Sequence, residues 1–239
     1  MKIVIPIAGR GSKFIAEGYQ EIKPFISIKD KPMIQWATDA LPFLQFNRDL
    51  IFIVRDDHVR SARIDEKLKK LYGQDITIVV TTGVTEGAAC SVLLAKDQIN
   101  NDEELIIYNA DQYFKNDIAK MIQDKPADVK GIIPFFRATH QRWSYILLDD
   151  DGYVVKTSEK EPLSNAATVG LYYFTKGSDF VWAAESMIKK NLRVQGEFYI
   201  CPVYNELIGR GDKILAHEIK TMWSLGTPED VEHFKKYYR

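Results

Sequence analysis

Short apolar runs alternate with amphipathic stretches through the first half of the chain. Ile3-Val4-Ile5-Pro6-Ile7, Leu50–Val54, Ile76–Val80 and Leu105–Tyr108 are rich in β-branched residues and bounded by polar residues or glycine. Runs this short read as strands buried on both faces. Between them the apolar positions fall at helical spacing. After Asp30-Lys31-Pro32 they are Ile34, Ala37, Leu41 and Leu44, and His58–Tyr72 reads as an amphipathic helix with Ile64, Leu68 and Leu71 inward. Pro32 takes a first-turn position, and Pro42 is expected to kink or shorten the helix. A further helix runs from Gly87 to Ala95. Strand alternating with helix predicts an α/β fold with a Rossmann-like, doubly wound, mostly parallel sheet flanked by helices.

The second half has a different rhythm. Gly131–Arg137, Tyr145–Leu148, Tyr153–Ser158, Thr168–Phe174, Lys213–Ile219 and Thr221–Leu225 are strand-like. Gly177–Asn191, Tyr199–Ile208 and the segment from Pro228 read as helices. Asp149-Asp150-Asp151-Gly152 lies between two strands, where a hairpin turn is a better reading than a metal site. No Gly-, Ser- or Pro-rich linker and no repeat divides the chain. The expectation is one unit over 1–239, with halves meeting near residue 125.

Composition narrows the classes. The 32 basic and 33 acidic residues of this 239-residue chain leave a net charge of −1, so neither nucleic acid nor an anionic membrane is expected as a partner. Two cysteines, Cys90 and Cys201, are too few for a disulfide scaffold. No apolar run reaches the length of a membrane span or a signal segment, and a cytoplasmic setting is expected. None of His58, His140, His217 and His233 stands in a Ser-His-Asp or zinc spacing.

The candidate chemistry gathers after the first strand. Ala8-Gly9-Arg10-Gly11-Ser12-Lys13-Phe14 combines glycines, a hydroxyl and cations. Glycine lets backbone N–H groups approach an anion closely, and consecutive N–H groups form a concave anion site. Lys13 and Lys23 add the positive charge that phosphates need. The loop fits neither G-x-x-x-x-G-K-[ST] nor G-x-G-x-x-G, and a plain glycine turn is the competing reading. Asp111, just past the fourth strand, suits either Mg²⁺ or the cap of a following helix.

Taken with Lys23-Pro24-Phe25 and Lys31-Pro32-Met33-Ile34, the loop resembles the signature of the sugar-phosphate nucleotidyltransferase family, with Lys13 standing where that family usually has Arg. The resemblance extends as ordered blocks from about Lys2 to Asp230, and it implies the GT-A-like version of the fold. It implies that Asp111, in Asn109-Ala110-Asp111-Gln112, holds Mg²⁺. It also implies that Thr82, Glu86 and Gly87 border the base together with Ala8. Ser158-Glu159-Lys160, Asn165 to Gly170, and Glu197 and Tyr199 of Gly196-Glu197-Phe198-Tyr199 would meet the acceptor, with Trp223 close by. The block Trp223-Ser224-Leu225-Gly226-Thr227-Pro228 departs from the family pattern, because Ser224 stands where a second metal-binding Asp belongs. Glu197 or Glu229 is the alternative second acid.

The activity implied is transfer of NMP from an NTP, CTP before UTP, to a phosphorylated sugar or small phosphorylated metabolite, with release of pyrophosphate. Lys13 would hold the leaving phosphates, Lys23 the α-phosphate and Lys160 the acceptor phosphate. The compact chain resembles the family's small cytidylyltransferases and its capsule-cluster members. Two other classes stay open, an NDP-sugar glycosyltransferase and a non-catalytic nucleotide-binding module. The first wants D-x-D after the fourth strand, where this chain has Asp111-Gln112-Tyr113. The sequence leaves monomer and homodimer open.

Overall fold

The computed structural model describes residues 1–41, 49–115 and 117–239. The helical position expected of Leu44 and the kink at Pro42 lie outside the described residues. In chain order the strands are β1 (Lys2–Pro6), β2 (Ser27–Ile28), β3 (Lys31–Pro32), β4 (Asp49–Arg55), β5 (Thr77–Thr81), β6 (Leu105–Tyr108) and β7 (Gln112–Phe114). They continue as β8 (Val129–Arg137), β9 (Ser144–Leu148), β10 (Val154–Glu159), β11 (Ala166–Thr168), β12 (Leu171–Phe174), β13 (Lys213–Glu218) and β14 (Met222–Ser224).

A mixed sheet of ten strands flanked by helices runs through both halves in the order β10-β9-β11-β8-β12-β6-β1-β4-β5, with β13 added to β8. On the first-half side the strands are parallel: Val4 pairs with Ile51 of β4 and Ile107 of β6, and β5 lies outside β4. Helical segments link β4, β5 and β6, which is what parallel neighbours require. β12 joins antiparallel to β6 and begins the second half, where the turn Asp149–Gly152 links β9 and β10 into the expected hairpin. β1 feeds both cores, because its side chains alternate across the sheet. Ile3 and Ile5 pack with Trp36, Phe114 and Phe234 on one face. Val4 packs with Phe174, Phe180 and Tyr204 on the other.

Several elements differ from the sequence expectation. His58–Tyr72 is not one helix but two, Asp56–Ala62 and Ile64–Tyr72, separated by Arg63 at φ 50°. Leu71 is 37% exposed rather than inward. Thr168–Phe174 is two strands, because the chain leaves the ladder at Val169-Gly170, with Gly170 at φ 71°. Tyr199–Ile208 begins with a loop and a 3₁₀ turn, Cys201–Val203, before the helix Tyr204–Arg210. Asp111 caps no helix: β7 follows it directly, and the next helix starts only at Ile118. Among the described residues, no helix is long and apolar enough to cross a membrane.

Candidate active site

The glycine loop leaves the carboxyl end of β1 and turns into a short helix, Ser12–Ala16. Gly11 makes the turn at φ 67°, and an added Cβ would stand 3.1 Å from Cβ of Lys23. The loop therefore lies against the 3₁₀ turn Lys23–Phe25, in which Pro24 fixes the backbone just after Lys23. Lys23 Nζ donates to Asp111 Oδ2 at 2.6 Å. Asp111 is set at the end of β6 by β7 and β14: Gln112 pairs with Ser224, and the Asp111 carbonyl accepts from Leu225 N at 2.8 Å. The Ser224 hydroxyl donates to Asp230 Oδ2 at 2.7 Å. Asp230 lies in the first turn of the helix Pro228–Tyr237, where its own N–H is capped by the Thr227 hydroxyl. Arg142 reaches the same carboxylate at 2.9 and 3.1 Å while stacked over the Trp143 ring.

These groups form one wall of a cavity of about 670 Å³, within the size range of small-molecule sites. Of the residues singled out from sequence, Gly9, Gly11, Ser12, Lys13, Lys23, Asn109 and Asp111 line this wall. Glu159, Gly170, Glu197 and Tyr199 line the other. Ser144, opposite Glu159 across β9 and β10, donates its hydroxyl to Glu159 Oε2. Thr168 and Tyr172 share a hydrogen bond of 3.0 Å beside them.

The remaining candidates sit elsewhere. Ala8 is buried beneath the loop, and Arg10 is exposed outside the lining. Thr82 and Glu86 are exposed away from the cavity, and Glu86 pairs with Arg193. The loop holding them reaches the cavity wall only at Ala88, and Gly87 is buried just behind it. Lys160, at φ 57°, turns its ammonium to Gln195 and the Tyr199 hydroxyl. Asn165 accepts from Arg137 at 2.8 Å. Trp223 lines a smaller neighbouring cavity of about 330 Å³ with Met222 and His233.

Sequence reasoning missed Gln112, Arg142, Trp143, Ser144 and Asp230 in the lining. Only Asp230 carried a usable local signal. Thr227-Pro228-Glu229-Asp230 is a helix start whose third position lies six residues after Ser224. Asp230, rather than Glu197 or Glu229, is the acid hydrogen-bonded to Ser224.

Glu159 is the most perturbed acid of the cavity wall. It is 8% exposed, and burial, with Glu197 adding repulsion, pushes its carboxyl up against the opposing pull of Ser144 and Lys160. A raised folded value means the stabilising protonated form is complete below the unfolded value of about 4.3 and is lost as pH rises through the folded one. Glu159→Gln keeps an acceptor for Ser144 and removes that loss. Its stability advantage over wild type should therefore grow as pH rises above about 4.3 in urea melts. A constant difference over that rise would mean that Glu159 titrates normally.

A model of the family described as "Nucleotidyl transferase" matches residues 2–238. The chain is 26% identical over 99% of its length to the bifunctional sugar-1-phosphate nucleotidylyltransferase/acetyltransferase of Sulfurisphaera tokodaii, and it spans 55% of that protein. It thus spans about half the length of the curated relative it matches. Among solved structures it is similar to the nucleoside-diphosphate-sugar pyrophosphorylase of Vibrio cholerae RC9, at TM-score 0.84 and 25% identity, covering 98% of this chain and 99% of that one. The inositol-1-phosphate CTP transferase of T. maritima shares the fold at TM-score 0.75 and 13% identity, covering 99% of this chain and 96% of that one. With a match that runs from the second residue to the last but one, the chain belongs to the nucleotidyl transferase family.

Proposed function

We propose that this chain transfers a nucleoside monophosphate from a nucleoside triphosphate to the phosphate of a small acceptor, releasing pyrophosphate. The observation that carries the reading is the placement of Lys23 and Asp111, 2.6 Å apart beside the glycine loop, across one cavity from Glu159, Glu197 and Tyr199. Residues up to about 125 would take the nucleotide, and the rest the acceptor. An acceptor phosphate is already a nucleophile near neutral pH, so positioning and charge stabilisation supply the catalysis. Lys13 and the loop N–H groups would hold the leaving phosphates, and Lys23 would meet the charge that builds at the α-phosphate. Lys160 would have to swing from Gln195 to reach an acceptor phosphate.

The donor set suits Mg²⁺. Asp111 offers a hard oxygen at the cavity wall, and among the described residues no group of three or more His, Cys, Asp or Glu is spaced to hold a metal. A cation that keeps waters and phosphate oxygens in its shell fits such a site. When bound there, it would neutralise charge on the triphosphate.

CTP is the favoured nucleotide and UTP the next. The support is that Gly9 and Ala88 both line the cavity, where their backbone would form the base edge. Pyrophosphate release should require both an acceptor and one nucleotide, assayed across the four ribonucleotides and dTTP. A glycosyltransferase or a binding module would release none. In thermal-shift titrations CTP with Mg²⁺ should give the largest stabilisation; a purine nucleotide in first place would overturn the pyrimidine assignment.

A further inference from the structure

Among the described residues lining the main cavity, the cations are Lys13, Lys23 and Arg142. The first two come from the short helix after the glycine loop and from the 3₁₀ turn beside it. Arg142 is the one that the second half of the chain supplies. Lys160 is not in the lining: its ammonium is held by Gln195 and the Tyr199 hydroxyl, and lies 4.7 Å from the centre of the Tyr199 ring.

Arg142 sits in the turn between β8 and β9 and is fixed from two sides. Nη1 and Nη2 donate to the Asp230 carboxylate at 3.1 and 2.9 Å, and the guanidinium carbon lies 4.2 Å from the centre of the Trp143 ring. The side chain is nevertheless 40% exposed. Its bonds to Asp230 use one N–H of each terminal nitrogen, and Nε–H donates to nothing among the described residues. Such an arginine keeps a second edge, Nε–H beside an Nη–H, that matches two oxygens of a phosphate. Because Asp230 and Trp143 already order the side chain, little rotamer freedom is left to lose on binding.

The same anchor carries the guanidinium to the phosphate side of the cavity. Asp230 accepts from the Ser224 hydroxyl at 2.7 Å. Ser224 Oγ and Asp111 Oδ2 lie 3.5 and 3.4 Å from the point that a Cβ on Gly226 would occupy. The contacts leading from Arg142 therefore end beside Asp111 and its partner Lys23. In the other direction, Ser144 opens β9 two residues after Arg142 and bonds Glu159. Arg142 is thus joined to both walls.

Resting on the nucleotidyltransferase reading above, we infer that Arg142 is a catalytic residue that binds the acceptor's phosphate. Its unpaired edge takes two phosphate oxygens and leaves the third to attack. A lone pair of that third oxygen forms the bond to the α-phosphorus. The bond from the α-phosphorus to the bridging oxygen breaks, and pyrophosphate leaves with its electrons. Lys160 then stays with Gln195 and Tyr199 throughout.

The probes are glucose 1-phosphate and glucosamine 1-phosphate, each with Mg²⁺ and the nucleotide that gives the largest thermal shift. With whichever supports pyrophosphate release, Arg142→Gln should raise the KM for the sugar phosphate roughly tenfold or more, the scale of a lost charge-assisted pair. The nucleotide KM should stay within about twofold, which a disturbed Ser224–Asp111 region would not allow. Arg142→Lys keeps the charge and loses the fork, so its KM should fall between the two. A second measurement needs no turnover. The α,β-methylene analogue of the nucleotide is held saturating, so that the glycine loop is filled, and inorganic phosphate is titrated while Tm is followed. Phosphate should raise the Tm of wild type and not that of Arg142→Gln. If neither sugar phosphate releases pyrophosphate, the nucleotidyltransferase reading fails on these acceptors, and the phosphate titration decides on Arg142 by itself. The assignment is overturned by a sugar-phosphate KM in Arg142→Gln within about twofold of wild type, or by a phosphate response that is missing in wild type or kept in Arg142→Gln. A response lost in Lys160→Gln but kept in Arg142→Gln would give the phosphate to Lys160 instead.

Discussion

Asp111→Asn is expected to lower kcat by roughly 100-fold or more, the scale of losing one preorganised charge contact, while the protein stays folded. Asparagine keeps the size of the side chain and removes its charge. The Asp111 carbonyl, which ties β7 to Leu225, is untouched. The Lys23–Asp111 pair is partly open to solvent, at 25% and 27% side-chain exposure. Pairs of that kind contribute little to stability, about 1 kcal/mol or less. Its expected cost therefore falls on the triphosphate and its cation, not on the fold. Lys23→Ala should have an effect of similar size, because Lys23 would face the same phosphates. The double variant should then be little worse than either single one, since residues that act as a unit are non-additive. Pyrophosphate release, measured with Mg²⁺ titrated at fixed nucleotide, checks all three variants. A rate within about threefold of wild type for Asp111→Asn, less than ~1 kcal/mol of barrier, would remove Asp111 from the reaction.

Which parts of this site the sequence revealed depends on how locally each part is encoded. The glycine loop follows β1 directly, so an apolar run, two glycines and a lysine mark it within a dozen residues. The opposite wall of the cavity, with Glu159, is assembled by strand register instead. Ser144 meets Glu159, and Ala167 meets Tyr145, only because β9, β10 and β11 pair antiparallel. Nothing near Ser144 in the chain announces its partner. Helical spacing also conceals breaks: Ile64 and Leu68 keep their period, and both are buried, although Arg63 interrupts the helix before them. The run Thr168–Phe174 conceals a different break. Its β-branched and aromatic residues read as a single strand, yet Gly170 turns the chain so that β11 pairs with β8 while β12 reaches β6. The turn also brings Gly170 against Gln112, two positions whose relation no local pattern carries.

The largest stability effect is expected at Gly87, the residue before the helix Ala88–Leu93. Its backbone, at φ 133° and ψ 173°, is in a region open essentially to glycine alone. An added Cβ would stand 2.3 Å from the Phe198 carbonyl oxygen and 2.5 Å from its nitrogen. Those atoms are main chain, so no side chain can rotate away. They are also the atoms that fasten the segment to the helix start: Phe198 N donates to Glu86 O at 2.8 Å, and Ala89 N donates to Phe198 O at 3.0 Å. Gly87→Ala has to part the two segments and break both bonds. Backbone strain and two lost hydrogen bonds together suggest about 3 kcal/mol or more, a fall in Tm of roughly 6–12 °C for a chain of this size. Glu197 and Tyr199 flank Phe198 and line the cavity, so acceptor binding should weaken along with stability. Gly209→Ala is the matching control, because Gly209 lies inside the helix Tyr204–Arg210 with nothing within 4 Å of an added Cβ. There alanine should stabilise by about 0.4–1 kcal/mol. If thermal melts place Gly87→Ala within about 2 °C of wild type, less than ~1 kcal/mol, the segment through Phe198 is not clipped to the helix start, and the positions of Glu197 and Tyr199 on the cavity wall need another cause.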